Sequence, residues 1–331
     1  GMTLTEEDLI QLFYYKFTET PLLKRMDAVK DYFIDSWETL KGRNISEDDQ
    51  EMLQMKFDKM YTTKDIYTIY NWMLDDCGCD LLPEVPYEKR KLPYEDVFPM
   101  LYLKYRLSGG NSTHKNIKHL VIDEMQDYTY LQYTILESLF HCRMTILGDR
   151  AQTLDTKQQD VLRFLPKLLG REIRTIEIKK SYRNTLEIAR YAEKVSGVSD
   201  LELLDRHGKE VVEKTFNTDT ELLDELVCHL KCPGDFETAA LITTTEEEAF
   251  DLSRLLKLRG INVSYVDRNS STFKKGLTVT TFYLAKGLEF DQVFALRGAK
   301  ENPLKNQAEY ICATRALHEL YVYEIADSLS K

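Results

Sequence analysis

Over the first hundred residues, apolar side chains recur at three- and four-residue spacings. They do so in EEDLIQLFYYKF from Glu6, LLKRMDAVKDYFIDSWETLK from Leu22 and SEDDQEMLQMKFDKMY from Ser46. That period puts them on one face of an α-helix. Ser46 with Asp49 predicts a helix start, an acceptor followed three residues later by an acid. Pro83, Pro86 and Pro93 interrupt the pattern, YEDVFPMLYLKYRL from Tyr94 resumes it, and SGGNSTHKN from Ser108 reads as a polar loop.

From His119 the pattern changes to short apolar runs alternating with helical ones. HLVID, RMTILGD and IRTIEI read as buried strands, separated by the helical YLQYTILESLF and QDVLRFLPKLL. After SYRNT the alternation starts again. LEIARYAEKV, TELLDELVCHL, TEEEAFDLSRLLKLRG and NQAEYICATRAL read as helices, and TAALIT, LTVTTF, QVFAL and ELYVYEI as strands. Strands alternating with helices predict a parallel sheet covered on both faces. Because the pattern occurs twice, it predicts two α/β units meeting near residue 178, behind a helical segment spanning 1–110. The first unit would run from 111 to 178 and the second from 179 to 331.

Composition sharpens this only a little. The 43% hydrophobic and 11% aromatic content is that of an ordinary globular chain, and 331 residues suggest about two domains. No apolar run is long enough to span a membrane, and GMTLTEEDLIQ lacks the apolar core of a secretory signal. Of the six cysteines only CGC at Cys77 and CHLKC at Cys228 are close pairs, without the second half of a zinc site. They read as reduced thiols of a cytoplasmic protein. A net charge of −11 argues against strong non-specific DNA binding by the chain as a whole, leaving room for a local basic groove.

The stretch VIDEMQD sets the chemical question. Asp123, Glu124 and Asp127 crowd three carboxylates into five positions after a strand, which is unfavourable without a compensating partner. Either the turn is solvated or something positive belongs there. In parallel α/β sheets ligands gather at the carboxyl ends of strands. An aspartate there can hold Mg2+, a neighbouring carboxylate can orient and deprotonate water, and an amide such as Gln152 can hold that water or a phosphate.

Five segments in order, VIDEMQD, LGDRAQ, SYRNT, AKGLEFD and ATRAL, resemble the later motifs of superfamily-1 DNA helicases of the UvrD/Rep type. Ser181, the Tyr283-Leu284 pair and CATRALHEL are most similar to the HelD (helicase IV-like) branch. The interval between SYRNT and LTVTT is short for the large inserted domain of UvrD and Rep, and residues 3–107 resemble a remnant of the helical insertion ahead of the first motif. The resemblance implies RecA-like parallel sheets flanked by helices, ATP and Mg2+ as cofactors, and DNA as partner. It implies that Asp123 is the Mg2+-associated acid, Glu124 the activator of water and Gln152 the γ-phosphate sensor. Tyr182 would stack on the base, Arg183 and Arg315 would reach the γ-phosphate, and Glu289 would lie near the ribose beside Gly287.

The family's phosphate cradle, Gly-x-x-x-x-Gly-Lys-Ser/Thr, does not occur in these 331 residues; Gly109, Gly110 and Lys115 have the wrong order and spacing. The chain therefore resembles the C-terminal half of such a protein. Its expected role is either that of a helicase portion whose P-loop comes from a separate chain, or of an ATPase-dead module that engages RNA polymerase or another protein. Even one preorganised donor to a transition-state oxygen is worth roughly 3 kcal/mol. The chain alone is therefore expected to show little or no phosphate release with Mg-ATP, and micromolar affinity by calorimetry together with turnover on the order of 1 per second would contradict this.

Overall fold

A computed structural model describes residues 4–110, 116–154, 161–170, 173–197, 202–231, 236–270, 275–297 and 302–326. Lys115 lies outside them. The chain forms two compact units: Gly1–Ile122 with Tyr128–Thr145, and Asp123–Asp127 with Ile146–Lys331.

The first unit is mainly helical. Helix α1 (Glu6–Gln11) starts in a capping box on Thr5 and continues into a π-helical turn, Leu12–Lys16. Helix α2 (Arg25–Lys41) ends at Gly42, whose φ of 63° suits a residue without a Cβ. Helix α3 (Glu47–Asp58) starts where expected, with the Ser46 hydroxyl accepting from the Asp49 amide at 3.2 Å. Phe13, Met26, Val29 and Phe57 form the core these elements share. Helices α4 (Ile66–Asp76) and α5 (Tyr94–Ser108) enclose a second cluster of Tyr67, Tyr70, Leu74 and Leu82. There Asp65 grips Arg90 through two bonds of 2.9 Å, and the guanidinium lies over the Tyr67 ring.

Strand β1 (His119–Ile122), helix α6 (Tyr130–Leu139) and strand β2 (Arg143–Ile146) follow, the two strands pairing only with each other among the described residues. The expectation that these strands are buried is corrected: Ile122 is buried, but His119, Val121, Arg143 and Thr145 are exposed. Two strands bury one side at most when only one face is covered. Helix α7 (Val161–Leu169) is present as expected, but IRTIEI is not a strand. Residues 173–178 are in no helix or strand, with Ile176 and Ile178 71% and 78% exposed. Strand propensity is realised only against a neighbour.

The second unit contains the main sheet. After the short parallel pair β3 (Lys180–Ser181) and β4 (Glu202–Leu203) come β5 (Val212–Phe216), β6 (Thr238–Thr243), β7 (Val263–Tyr265), β8 (Gly276–Thr281), β9 (Phe290–Leu296) and β10 (Ala316–Ile325). They form a six-stranded sheet in the order β5-β10-β9-β6-β8-β7, parallel throughout. Helices α8 (Leu186–Ser196) and α11 (Lys305–Arg315) cover one face, and α9 (Asp219–Lys231) and α10 (Glu246–Leu258) the other.

Period-two alternation separates the two cores. Ile242, Val293, Leu320 and Val322 face α8 and α11, whereas Leu241, Phe294, Tyr321 and Tyr323 face α9 and α10. Phe294 and Tyr321 stack with centroids 4.7 Å apart. Cys312 is fully enclosed, and desolvation pushes its thiol up to about 12. This is the mixed α/β architecture with a helical N-terminal segment that the residue pattern predicts.

The start of α8 is fixed by charge. Glu187 accepts from the Gly208 amide at 2.7 Å and pairs with His207 at 2.9 Å, while His207 also meets Asp205 at 2.9 Å. The hydrogen bond from His207 holds Glu187 down at about 2 from 4.5, and Glu187 first, then Asp205, raise His207 above 6.5. A depressed carboxylate stabilises above its unfolded value and loses this as pH falls through its folded one. A raised histidine stabilises below its unfolded value and loses this as pH rises through its folded one. Protection of the Gly208 amide against hydrogen exchange should therefore be greatest between about pH 4.5 and 6.5 and fall on both sides. Glu187→Gln should lower and flatten that profile.

Candidate functional site

The turn after β1 is held by backbone geometry. Glu124 has φ of 53°, the one positive value outside glycine among the described residues. Such a conformation costs about 1 kcal/mol. It persists because its neighbours are fixed: the Asp123 carboxylate accepts from the Glu124 amide at 2.8 Å, and the Met125 amide donates to Leu147 at 2.8 Å. Gln126, buried, donates to the Glu124 carboxylate at 2.6 Å and accepts from the Asp149 amide at 3.1 Å. This closeness requires glycine at 148. A Cβ there would collide with the Met125 side chain and stand 2.7 Å from the Met125 nitrogen.

Asp149 ties the second turn together. Its carboxylate accepts from the Ala151 amide at 3.0 Å, from Gln152 Nε2 at 2.9 Å and from the Tyr310 hydroxyl at 2.8 Å. Gln152, only 9% exposed, then accepts from Arg315 at 3.1 Å. Burial raises the Tyr310 phenol well above its ordinary value, and the charge of Asp149 adds to this.

Arg315 arrives from the opposite side. Helix α11 passes into β10 without a loop, and Asn184 Nδ2 pins the junction through the carbonyls of Ala313 and Ala316 at 3.3 and 2.6 Å. Arg315 is 2% exposed. It donates to Leu288 O at 3.3 Å and Thr314 Oγ1 at 3.1 Å, while its Nε is buried with no hydrogen-bond partner among the described residues. Desolvation lowers its pKa, the Arg183 charge lowers it further, and Glu124 and Glu289 oppose them. Arg183 is half-exposed and pairs with Glu289 at 2.7 Å.

The loop of AKGLEFD turns at Gly287, with φ of 80°. Lys286, its side chain 7% exposed, reaches Asp127 at 2.6 Å and Glu124 at 3.6 Å. Tyr182 is 65% exposed beneath Lys180, so it is not a core aromatic.

The structure thus gathers Glu124, Gln152, Arg183, Glu289 and Arg315 in one unit, with Asp123 exposed at its edge. Gly287 serves the turn, and no contact singles it out for a ligand. Sequence reasoning missed Gln126, Asp149 and Tyr310 as organisers, and it sought the positive partner of the carboxylates in a metal. The positive group beside Asp127 and Glu124 is Lys286. Among the described residues no group of three or more His, Cys, Asp or Glu side chains could hold a metal ion.

No family model matches this sequence, and no curated protein matches it. The solved structures that match include the C-terminal domain of a possible DNA helicase from Lactobacillus plantarum WCFS1. It is 27% identical, with a TM-score of 0.37, over 44% of this chain and 88% of that one.

Removing one member of the Lys286–Asp127 pair leaves the other's charge uncompensated, which costs more than removing both. Lys286→Met should destabilise the chain by about 2 kcal/mol in urea unfolding, and adding Asp127→Asn should recover about half of that. A strictly additive double mutant would contradict the pairing. Gly148→Ala should cost about 2 kcal/mol by displacing Met125.

Proposed function

We propose that this chain is the C-terminal portion of an ATP-dependent DNA helicase or translocase of the UvrD/Rep type, closest to the HelD branch, and carries part of its nucleotide site. The observation that supports this reading most is the unpaired Nε of Arg315, buried beside Gln152 and within electrostatic reach of Arg183. A buried donor without an acceptor is costly. A phosphate oxygen is the acceptor that suits a guanidinium best.

The chain's own groups divide the work. Gln152 is clasped between Asp149 and Arg315, so its amide is preorganised to report on a phosphate or hold a water. Glu124, aimed by Gln126, is the base for a water proton. Arg183 can exchange Glu289 for a phosphate oxygen, and Tyr182 offers an exposed ring for a base. Magnesium, when bound with a nucleotide, supplies positive charge, and Asp123, exposed with one oxygen held by the Glu124 amide, is the residue that would hold it. The phosphate cradle would come from a polypeptide segment outside these 331 residues.

A second reading, an ATPase-dead module that engages RNA polymerase or another protein, is favoured by one observation. Lys286 already satisfies Asp127 and Glu124, and Glu289 already satisfies Arg183, with no nucleotide required. The two readings part in one experiment. Titration with millimolar Mg-ATP, followed by amide and side-chain NMR, should perturb Arg183, Arg315 and Tyr182 together. Arg315→Lys and Arg183→Ala should each weaken this binding about tenfold. Absence of any perturbation would favour the second reading.

A further inference from the structure

The turn that carries Arg183 is bracketed by another arginine. Arg206, in the segment between β4 and β5, accepts through its own carbonyl from the Leu186 amide at 2.8 Å. Its Nη1 donates to the Arg183 carbonyl at 3.0 Å, and its Nη2 donates to His318 Nδ1 at 3.0 Å. His318 lies on β10, three residues past Arg315. The two arginines of the site are therefore tied to one strand. Arg315 directly precedes β10, and Arg183 reaches it through Arg206.

A guanidinium only donates, so this bond requires His318 Nδ1 to present its lone pair, which leaves the ring proton on Nε2. Nε2 lies 3.7 Å from Asp291 Oδ1 of β9, and the Phe236 ring stacks on the imidazole at 5.8 Å. The other oxygen of Asp291 is taken by the Glu237 and Thr238 amides at 3.1 and 2.9 Å and by the Thr238 hydroxyl at 2.8 Å. On β10 itself, Glu319 accepts from Tyr321 and Gln292 at 2.6 and 2.8 Å and lies 3.6 Å from Lys209. Among the described residues, the charges that face His318 are thus Arg206 and Asp291. A proton added at Nδ1 removes the acceptor and sets a cation against the guanidinium, with Asp291 as its counter-charge.

We propose that Arg206 and His318 position Arg183, holding its turn in register with Arg315 while His318 Nδ1 is unprotonated and releasing it when that nitrogen takes up a proton. The couple touches no ligand. It acts through the Arg183 carbonyl, and so on the direction of the Arg183 side chain, which pairs with Glu289. That Arg183 is held ready for a phosphate oxygen rests on the proposed nucleotide site; the coupling itself does not.

The test is NMR of the whole chain without nucleotide, following the His318 ring and the Arg183 and Arg206 side chains through a pH titration. The arginine signals should shift with the midpoint that the His318 ring itself reports. His318→Asn, whose amide oxygen can stand in for Nδ1 and does not titrate, should keep the high-pH positions throughout. His318→Phe, which offers no acceptor, should hold the Arg183 signal at its low-pH position at every pH. The His318 side chain is 42% exposed, so an unchanged unfolding midpoint should certify both folds. Arg206→Lys, which lacks the planar fork that spans both partners, should give the same result as His318→Phe without altering β10. With Mg-ATP, His318→Phe should weaken binding about threefold and His318→Asn should leave it unchanged. If Mg-ATP does not bind, the nucleotide reading falls and the ligand-free shifts still decide the coupling. An Arg183 signal unmoved in His318→Phe and Arg206→Lys, or one that titrates in His318→Asn as in the native chain, would overturn the proposal.

Discussion

Withdrawing the guanidinium of Arg315 from water is the constraint around which the second unit is arranged. An ion moved into a protein interior loses several kcal/mol of hydration even after relaxation. The compensation comes from five groups, all but the adjacent Thr314 distant in sequence: the Leu288 carbonyl, the Thr314 hydroxyl, the Gln152 amide oxygen, and the charges of Glu124 and Glu289. Each must be delivered within hydrogen-bond reach or a short Coulombic distance. The loopless passage from α11 to β10, pinned by Asn184 and packed through the fully buried Ile311, Ala313 and Ala316, removes slack on one side. The Asp149 turn removes it on the other.

The polar contacts form a continuous chain. Tyr310 donates to Asp149, Asp149 holds Gln152, and Gln152 holds Arg315. From the Asp149 amide a second branch runs through Gln126 to Glu124 and on to Lys286 and Asp127. Satisfied networks of this kind fix side-chain geometry strongly. Arg315 Nε is a buried donor in this one without a partner among the described residues. The positive-φ strain at Glu124 is held by the same bonds, consistent with a carboxylate kept in one orientation rather than left to the solvent.

How much of this was legible follows from how local each cause is. The central strands β6, β8, β9 and β10 were readable because burial on both faces makes them near-continuous apolar runs. The edge strands β5 and β7 were not: Glu213 and Lys214 dilute the first, and the second is three residues long. IRTIEI misled for the converse reason, since its residues favour a strand but pairing is a property of two segments. In the site, VIDEMQD and LGDRAQ named their own carboxylates and amide. They gave no sign that Lys286, 159 positions from Asp127, would stand against them. Nor did they show that Asp149, which looks like part of a turn, would bind three donors.

The treatment of strand edges bears on the same unit's associations. Both margins of the six-stranded sheet are blunted in the ways that discourage further pairing. On β5 the residues Glu213, Lys214 and Thr215 are exposed, and Glu213 and Lys214 are held in ion pairs with Arg297 and Glu225; β7 is too short to template a partner.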